Sequence, residues 1–518
     1  MTKSLVIVLS CSLIAITINA QVWQQTYGVP GSFEIARGTI KHYDNGFIMA
    51  VDRNDRFVWM VKADINGNIK WSNTYSETDN NIMTVFSVAS NQDGSTFLTG
   101  GTNTSVVNTF IIRTDECGTY KWCKRINQYD DNFAYSIKSL ADGNLSLLTY
   151  GASENYLIDR FQIWEIDPDG NILWVKQIIP GTQYLFQDTQ FFQMCLTSDG
   201  GSLLAGYAYY PYDTTNNPYD AVLQPCLVKC DSLGEMQWVY PPLSGADTTK
   251  IGFFAGCAQI GNTYYAVGSH YDTTEFFLRP LVARFDLNGN LQSYICSEPD
   301  TMYHSLSQVL PVSDTSILLI SAANNIFTDP NYLMVFLSDT MGHFTKAFTR
   351  TDLVVGQYGD EVAKLRDNKF VIACQYPIGW PGANTDVVAI KLNANLEYDS
   401  IYTQAYTYDS LCPYPIVSDT VICNCEPFVS IYEAQSVTKT LNIYPNPASD
   451  HFVINCGQEK PAGGALLIYD VYGRLKYLEE QPPGKSQSVI NCEHWKPGLY
   501  FARWESGGKA VGVKVIVK

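Results

Sequence analysis

Short apolar runs separated by clusters of Asn, Asp and Gly dominate this chain. Thr109-Phe-Ile-Ile-Arg113, Ser316-Ile-Leu-Leu-Ile320 and Tyr332-Leu-Met-Val-Phe336 are apolar at successive positions. Continuous runs of this length suit strands buried on both faces, whereas a one-sided sheet alternates. Helical periodicity is absent, and the polar clusters between the runs carry the turn residues that hairpins require. The pattern predicts an all-β protein built from short hairpin-linked strands.

The runs recur. Asp64-Ile-Asn-Gly67 precedes Trp71, Asp115-Glu-Cys-Gly118 precedes Trp122, Asp167-Pro-Asp-Gly170 precedes Trp174, and Asp231-Ser-Leu-Gly234 precedes Trp238. The series continues without tryptophan at Asp286-Leu-Asn-Gly289 and Asp339-Thr-Met-Gly342, and decays to Asn393-Ala-Asn395. Its glycines lie 51, 52, 64, 55 and 53 residues apart, a period typical of propeller blades. A second mark keeps step with it: an apolar or aromatic residue followed three positions later by a small one. It occurs at Phe47/Ala50, Phe97/Gly100, Leu148/Gly151, Leu203/Gly206, Tyr265/Gly268, Leu318/Ser321 and Phe370/Ala373. Seven occurrences predict a seven-bladed β-propeller over residues 21–410, with six and eight blades bounding the count. Val22-Trp-Gln-Gln-Thr-Tyr-Gly28 resembles the strand after each turn glycine. An orphan strand of that kind closes the ring by pairing with the last blade, which removes an exposed edge.

Both ends of the chain read as addresses. Lys3, an apolar run from Leu5 to Thr17 and the small residue Ala20 form a secretory signal over residues 1–20, and no later run is long enough to span a bilayer as a helix. Residues 411–439, with Pro413, Pro415, Pro427 and three cysteines, read as a linker. Beyond it, residues 440–518 carry Tyr444-Pro445-Asn446-Pro447, Tyr469-Asp470 with Gly473, and Gly498-Leu-Tyr500, among short strands of a small Ig-like β-sandwich. These blocks resemble, in order, the type A C-terminal sorting domain of the Bacteroidota type IX secretion system. The resemblance implies a translocon and a sortase-like peptidase as partners, cleavage near Ser436 to Thr440, and release of the product or its attachment to surface lipopolysaccharide.

Composition narrows the partners. A formal charge of −17 repels phosphate backbones, which argues against nucleic acid. In a compartment where disulfides persist, Cys117 with Cys123, Cys226 with Cys230, and Cys456 with Cys492 are candidate pairs. No second close Cys or His pair follows at zinc spacing.

Catalytic signals are sparse. The acidic turns place oxygens at alternate positions, but their glycine comes fourth and no twelfth-position glutamate follows, so they read as side-chain-capped turns rather than calcium loops. The Asp-Gly-Trp mark is similar to the tryptophan-docking motif of quinoprotein dehydrogenases, and Thr197-Ser-Asp-Gly-Gly201 resembles part of a sialidase Asp box. Both indicate shape more than chemistry. The six histidines form no zinc motif, and no nucleophile elbow or phosphate loop is present. No cofactor, metal or catalytic residue is assigned. Tyr207, Tyr209, Tyr210 and Tyr212 lie in the insertion that produces the 64-residue gap, and form a candidate loop for stacking on sugars or a protein. The expectation is a secreted or surface-attached, non-catalytic binding propeller. The alternative is a hydrolase or lyase with its site in the axial channel, marked by convergent acids of raised pKa.

Overall fold

The computed structural model describes residues 22–29, 31–54, 56–77, 82–103, 107–126, 131–152, 160–178, 189–211, 221–241, 249–273, 277–298, 302–325, 331–355, 362–376, 385–399, 420–428, 442–455, 464–471, 474–482, 487–506 and 509–518. The signal segment therefore lies outside the described residues. The chain divides into two compact units, Met1–Val429 and Ser430–Lys518. Among the described residues every regular element is a strand.

Among its described residues the first unit contains seven antiparallel four-strand arrays in chain order, two of them extended by a fifth strand. Their opening strands are Glu34–Lys41, Ile82–Ser90, Asp131–Ser139, Gln190–Leu196, Gly252–Ile260, Met302–Ser313 and Val362–Lys364. The first six opening strands pack each against the next, and the last packs against the first. The Gln308 side chain likewise reaches from the sixth opening strand to the Val362 N–H of the seventh. This ring is a propeller-like repeat fold. Gln24–Tyr27 supplies the outer strand of the last sheet, with Gln24 opposite Ile390 and Tyr27 opposite Val387, so the ring is closed by pairing its two ends.

The repeated marks are the contacts between sheets. In each acidic turn the aspartate caps its own loop: Asp64 Oδ1 accepts the N–H groups of Asn66 and Asn68, both at 2.9 Å. The tryptophan that follows docks on the glycine of the next sheet's turn. A Cβ at Gly118 would lie 2.7 Å from Trp71, one at Gly234 2.6 Å from Trp174, and one at Gly289 2.5 Å from Trp238. Trp23 meets Gly67 in the same way across the closing seam.

At its glycine members the second mark has a steric cause. The first six opening strands carry a one-residue bulge, and beside it, in the second, fourth and fifth sheets, a carbonyl of that strand presses on the partner strand. A Cβ at Gly100 would sit 1.9 Å from the Thr84 oxygen, and one at Gly206 1.8 Å from that of Gln190. No side chain fits at these two glycines, whereas in the sixth sheet Ser321 takes the corresponding place opposite Leu306.

Residues from the expected linker add strands to this unit. Thr420–Cys423 pairs in parallel with Ile69–Glu77, and Cys425–Pro427 pairs in parallel with Tyr120–Ile126. A Cys123–Cys425 disulfide fixes this strap. The Cys117–Cys123 pairing therefore gives way to a bond with a cysteine 302 residues away, because the strap crosses the strand that carries Cys123. Cys117 is disulfide-bonded as well. Cys226 and Cys230 are both free; four residues apart on one strand, they are too distant for a bridge. Cys492 is a free, buried thiol, and its expected partner Cys456 lies outside the described residues.

The second unit has a three-strand and a four-strand sheet. Ala448, Phe452, Ile454, Leu466, Ile468, Ile490 and Trp504 belong to its core.

Candidate functional site

The bulges define the most informative surface of the ring. A bulge leaves one residue unpaired and re-aims its side chain. In the first six opening strands that residue is Arg37, Phe86, Tyr135, Phe192, Ala255 and Ser307 in turn. Three consecutive sheets thus present an aromatic side chain at one register position, and these rings continue into neighbours. Phe86 lies 6.3 Å from Phe133 and 6.1 Å from Tyr135, and Tyr135 lies 6.4 Å from Tyr150. Phe192 meets Tyr207 at 5.6 Å and Phe253 at 6.0 Å, and Tyr207 meets Tyr209 edge-on at 5.7 Å.

Gln190 joins the two groups of rings. Its Nε2 donates to the Tyr135 hydroxyl at 3.2 Å, and its Oε1 accepts from the Tyr207 hydroxyl at 2.9 Å. The result is an aromatic arc across the second to fifth sheets, in which Phe86, Phe133, Tyr135, Tyr150, Tyr207 and Phe253 are partly accessible. Tyr209 is exposed. Aromatic faces fixed by neighbouring rings and an amide offer apolar area with polar hydroxyl edges at little entropic cost, the combination that stacks on sugar rings.

The tyrosine insertion contributes to the arc differently from the expectation. Tyr207, Tyr209 and Tyr210 lie in the strand Ser202–Pro211, which stays paired as far as Pro211 opposite Ala221. They are therefore strand residues, and the two-residue alternation places Tyr207 and Tyr209 on one face. Tyr212 lies outside the described residues. The sequence reading missed Phe86, Tyr135, Phe192 and Gln190, because a bulge has no signature in a single sequence. Aromatic residues recurring in opening strands were the available signal.

A polar cluster occupies the seam between the first and last sheets. The buried Glu34 lies 3.2 Å from Arg53 Nε and accepts the Val29 N–H at 3.3 Å, while Asp386 packs against Gly28. Burial pushes both carboxyls above their ordinary range, and the Asp386 charge adds to the effect on Glu34. Nearby, Arg37 Nε donates to Asp52 Oδ2 at 2.7 Å, and Asp52 Oδ1 accepts the Val85 N–H at 2.8 Å.

Other titratable groups serve the fold. The buried lysines Lys62, Lys229 and Lys391 reach Asp44, Asp199 and Asp367 at 2.7, 2.9 and 2.7 Å. Burial opposes ionisation of Asp199, but hydrogen bonds from Thr197 and Lys229 prevail and lower its pKa to about 2. The fragment that resembles an Asp box is therefore a turn capped by its own threonine and a lysine. Burial pushes the Cys230 thiol up to about 12 and that of Cys296 to about 11, which leaves them little nucleophilic character. Among the described residues no group of three or more His, Cys, Asp or Glu is placed to hold a metal ion.

In the second unit the motif residues act as stitches. Asn446 donates to the Lys514 carbonyl at 2.9 Å and accepts the Ile516 N–H at 2.8 Å. Asp470 holds Arg474 through its backbone N–H and Nε at 3.0 and 2.8 Å, and the Tyr500 hydroxyl donates to the Lys496 carbonyl at 2.8 Å. Tyr444 is exposed. Pro445 and Pro447 each follow a cis peptide bond, Tyr469 and Gly498 lie on adjacent antiparallel strands, and Gly473 lies outside the described residues.

Residues 442–518 match the family described as a secretion system C-terminal sorting domain. The protein is accordingly a type IX secretion cargo, delivered to the cell surface or released. No curated protein matches the chain. Among solved structures, a polysaccharide lyase described as an ulvan lyase has a TM-score of 0.46 at 8% identity, over 72% of this chain and 95% of that one. A puromycin hydrolase variant has a TM-score of 0.40 at 12% identity, over 71% of this chain and 53% of its own. A Bacteroides caccae protein of unknown function has a TM-score of 0.36 at 13% identity, over 59% and 94%. Likenesses at these levels carry no information about chemistry.

Proposed function

We infer that the exported part is a seven-bladed β-propeller that binds an extracellular glycan without turning it over, followed by an Ig-like sandwich that addresses it to the type IX translocon and its sortase-like peptidase. The observation that carries the binding half is the aromatic arc: bulges in three successive sheets aim Phe86, Tyr135 and Phe192 to one register position, and Gln190 ties Tyr135 to Tyr207. Ala255 and Ser307 hold the same position in the next two sheets, so a bulge does not itself require an aromatic residue; Phe192 is buried, and the accessible rings are those of Phe86, Tyr135 and Tyr207. The seven sheets in ring order support the blade count, and the two packed sheets after it support the sandwich. A signal peptide over residues 1–20 and cleavage near Ser436 to Thr440 complete the export route.

A second reading has its own observation. Glu34 and Asp386, both raised by burial, flank the Gly28–Val29 backbone, and paired acids of raised pKa serve glycan hydrolysis or elimination. The ion pair of Glu34 with Arg53 favours a structural role instead. A glycan array probed with the purified chain, each hit retested for product, tests both readings. Saturable binding that Phe86→Ala and Tyr207→Ala abolish supports the first. Product formation lost in Glu34→Gln establishes the second in its place.

A further inference from the structure

The layer between the fourth and fifth sheets contains two thiols from neighbouring opening strands. Cys195 lies on Gln190–Leu196 and Cys257 on Gly252–Ile260, and both belong to the same apolar cluster. Gln193, two residues before Cys195 and so on the same strand face, accepts the Cys257 N–H through its side chain at 3.1 Å. Cys257 Sγ lies 3.5 Å from the carbonyl oxygen of Leu203, the residue registered opposite Cys195. Strand register, side-chain face and sulfur position therefore bring the two thiols together from adjacent sheets.

We propose that Cys195 and Cys257 are a covalent modification site that oxidises to a disulfide in the exported protein and cross-links the fourth sheet to the fifth. The chemistry is thiol–disulfide exchange with a disulfide-bearing oxidant of the export compartment. The thiolate of one cysteine attacks the donor disulfide and expels one donor thiol. The second cysteine then attacks the mixed disulfide and expels the other, so that two electrons and two protons pass to the donor. Burial and the hydrogen bond with Cys195 both hold the Cys257 thiol well above its usual range. Little thiolate is present once the sheets have packed, which places the reaction during folding.

The test uses the full chain recovered from an oxidising compartment, unfolded in the presence of iodoacetamide, digested without reductant and analysed by mass spectrometry. The expected result is a linked pair of peptides carrying Cys195 and Cys257 that separates on reduction, while Cys226, a free cysteine in a different apolar cluster, is recovered alkylated. Recovery of Cys195 and Cys257 as singly alkylated peptides overturns the proposal. So does a linkage of either to another cysteine. In a second measurement, Cys195→Ser is expected to lower the melting temperature of the oxidised protein and to leave that of the reduced protein nearly unchanged. Equal falls in both states would show that the residue matters only through packing.

Discussion

The tryptophan-on-glycine contact predicts that two glycine-to-alanine changes at positive φ differ in cost. Gly118 has φ +75, and a Cβ there would lie 2.7 Å from the Trp71 ring. That ring is buried and packed among Met60, Val85 and Phe110, so it has no room to withdraw. The Gly118 carbonyl is also held by Asn73 and the Tyr75 hydroxyl at 2.6 and 2.9 Å, which keeps the turn from moving aside. Gly118→Ala therefore combines left-handed strain of about 1–2 kcal/mol with overpacking of about 1–3 kcal/mol. Gly261 has φ +58, but nothing lies within 4 Å of a Cβ placed on it. Gly261→Ala carries the strain alone, about 1–2 kcal/mol. Urea unfolding of the two variants, followed by tryptophan fluorescence, measures the difference directly. Gly118→Ala is expected to be less stable than Gly261→Ala by about 1–3 kcal/mol, and shortening the ring with Trp71→Phe should recover part of that gap. Equal costs at the two positions would refute the claim that the repeated tryptophan holds sheet to sheet through the glycine.

Lys62→Met should leave Asp44 buried beside His42 and destabilise the ring by about 3–5 kcal/mol, with partial recovery in Lys62→Met/Asp44→Asn. Lys229→Met should cost clearly less because its partner Asp199 is 49% exposed; chemical denaturation ranks the two, and the reverse order sinks the argument. Asp199, at about 2 in the folded state against 3.8 unfolded, stabilises the fold above its unfolded value and loses that contribution as pH falls from 3.8 towards 2. The melting temperature should therefore drop across this window, less steeply in Asp199→Asn, and a variant that follows the wild-type curve would contradict the assignment. Cys425→Ser should release the strap, costing about 2–5 kcal/mol and raising hydrogen exchange at residues 420–427, the pair of added strands; unchanged protection would show that the strand pairing alone retains it.

What the sequence determined was local or periodic. Apolar runs and turn residues specified strands, because a strand buried on both faces and a hairpin turn each need their own residue types. The Asp-Gly-Trp spacing specified the repeat, and the strand at Gln24–Tyr27 specified closure onto the last sheet, as its pairing with Val387–Ile390 bears out. The sorting blocks were legible because their residues stitch one small unit at fixed separations. Convergence belonged to the tertiary structure. A bulge is a slip between two strands, so neither strand alone records that Phe86, Tyr135 and Phe192 share a position. The fold alone set each buried lysine against an aspartate in its own sheet. Cys123 chose a partner 302 residues away, because spacing along a chain measures contour and a disulfide answers only to distance in space.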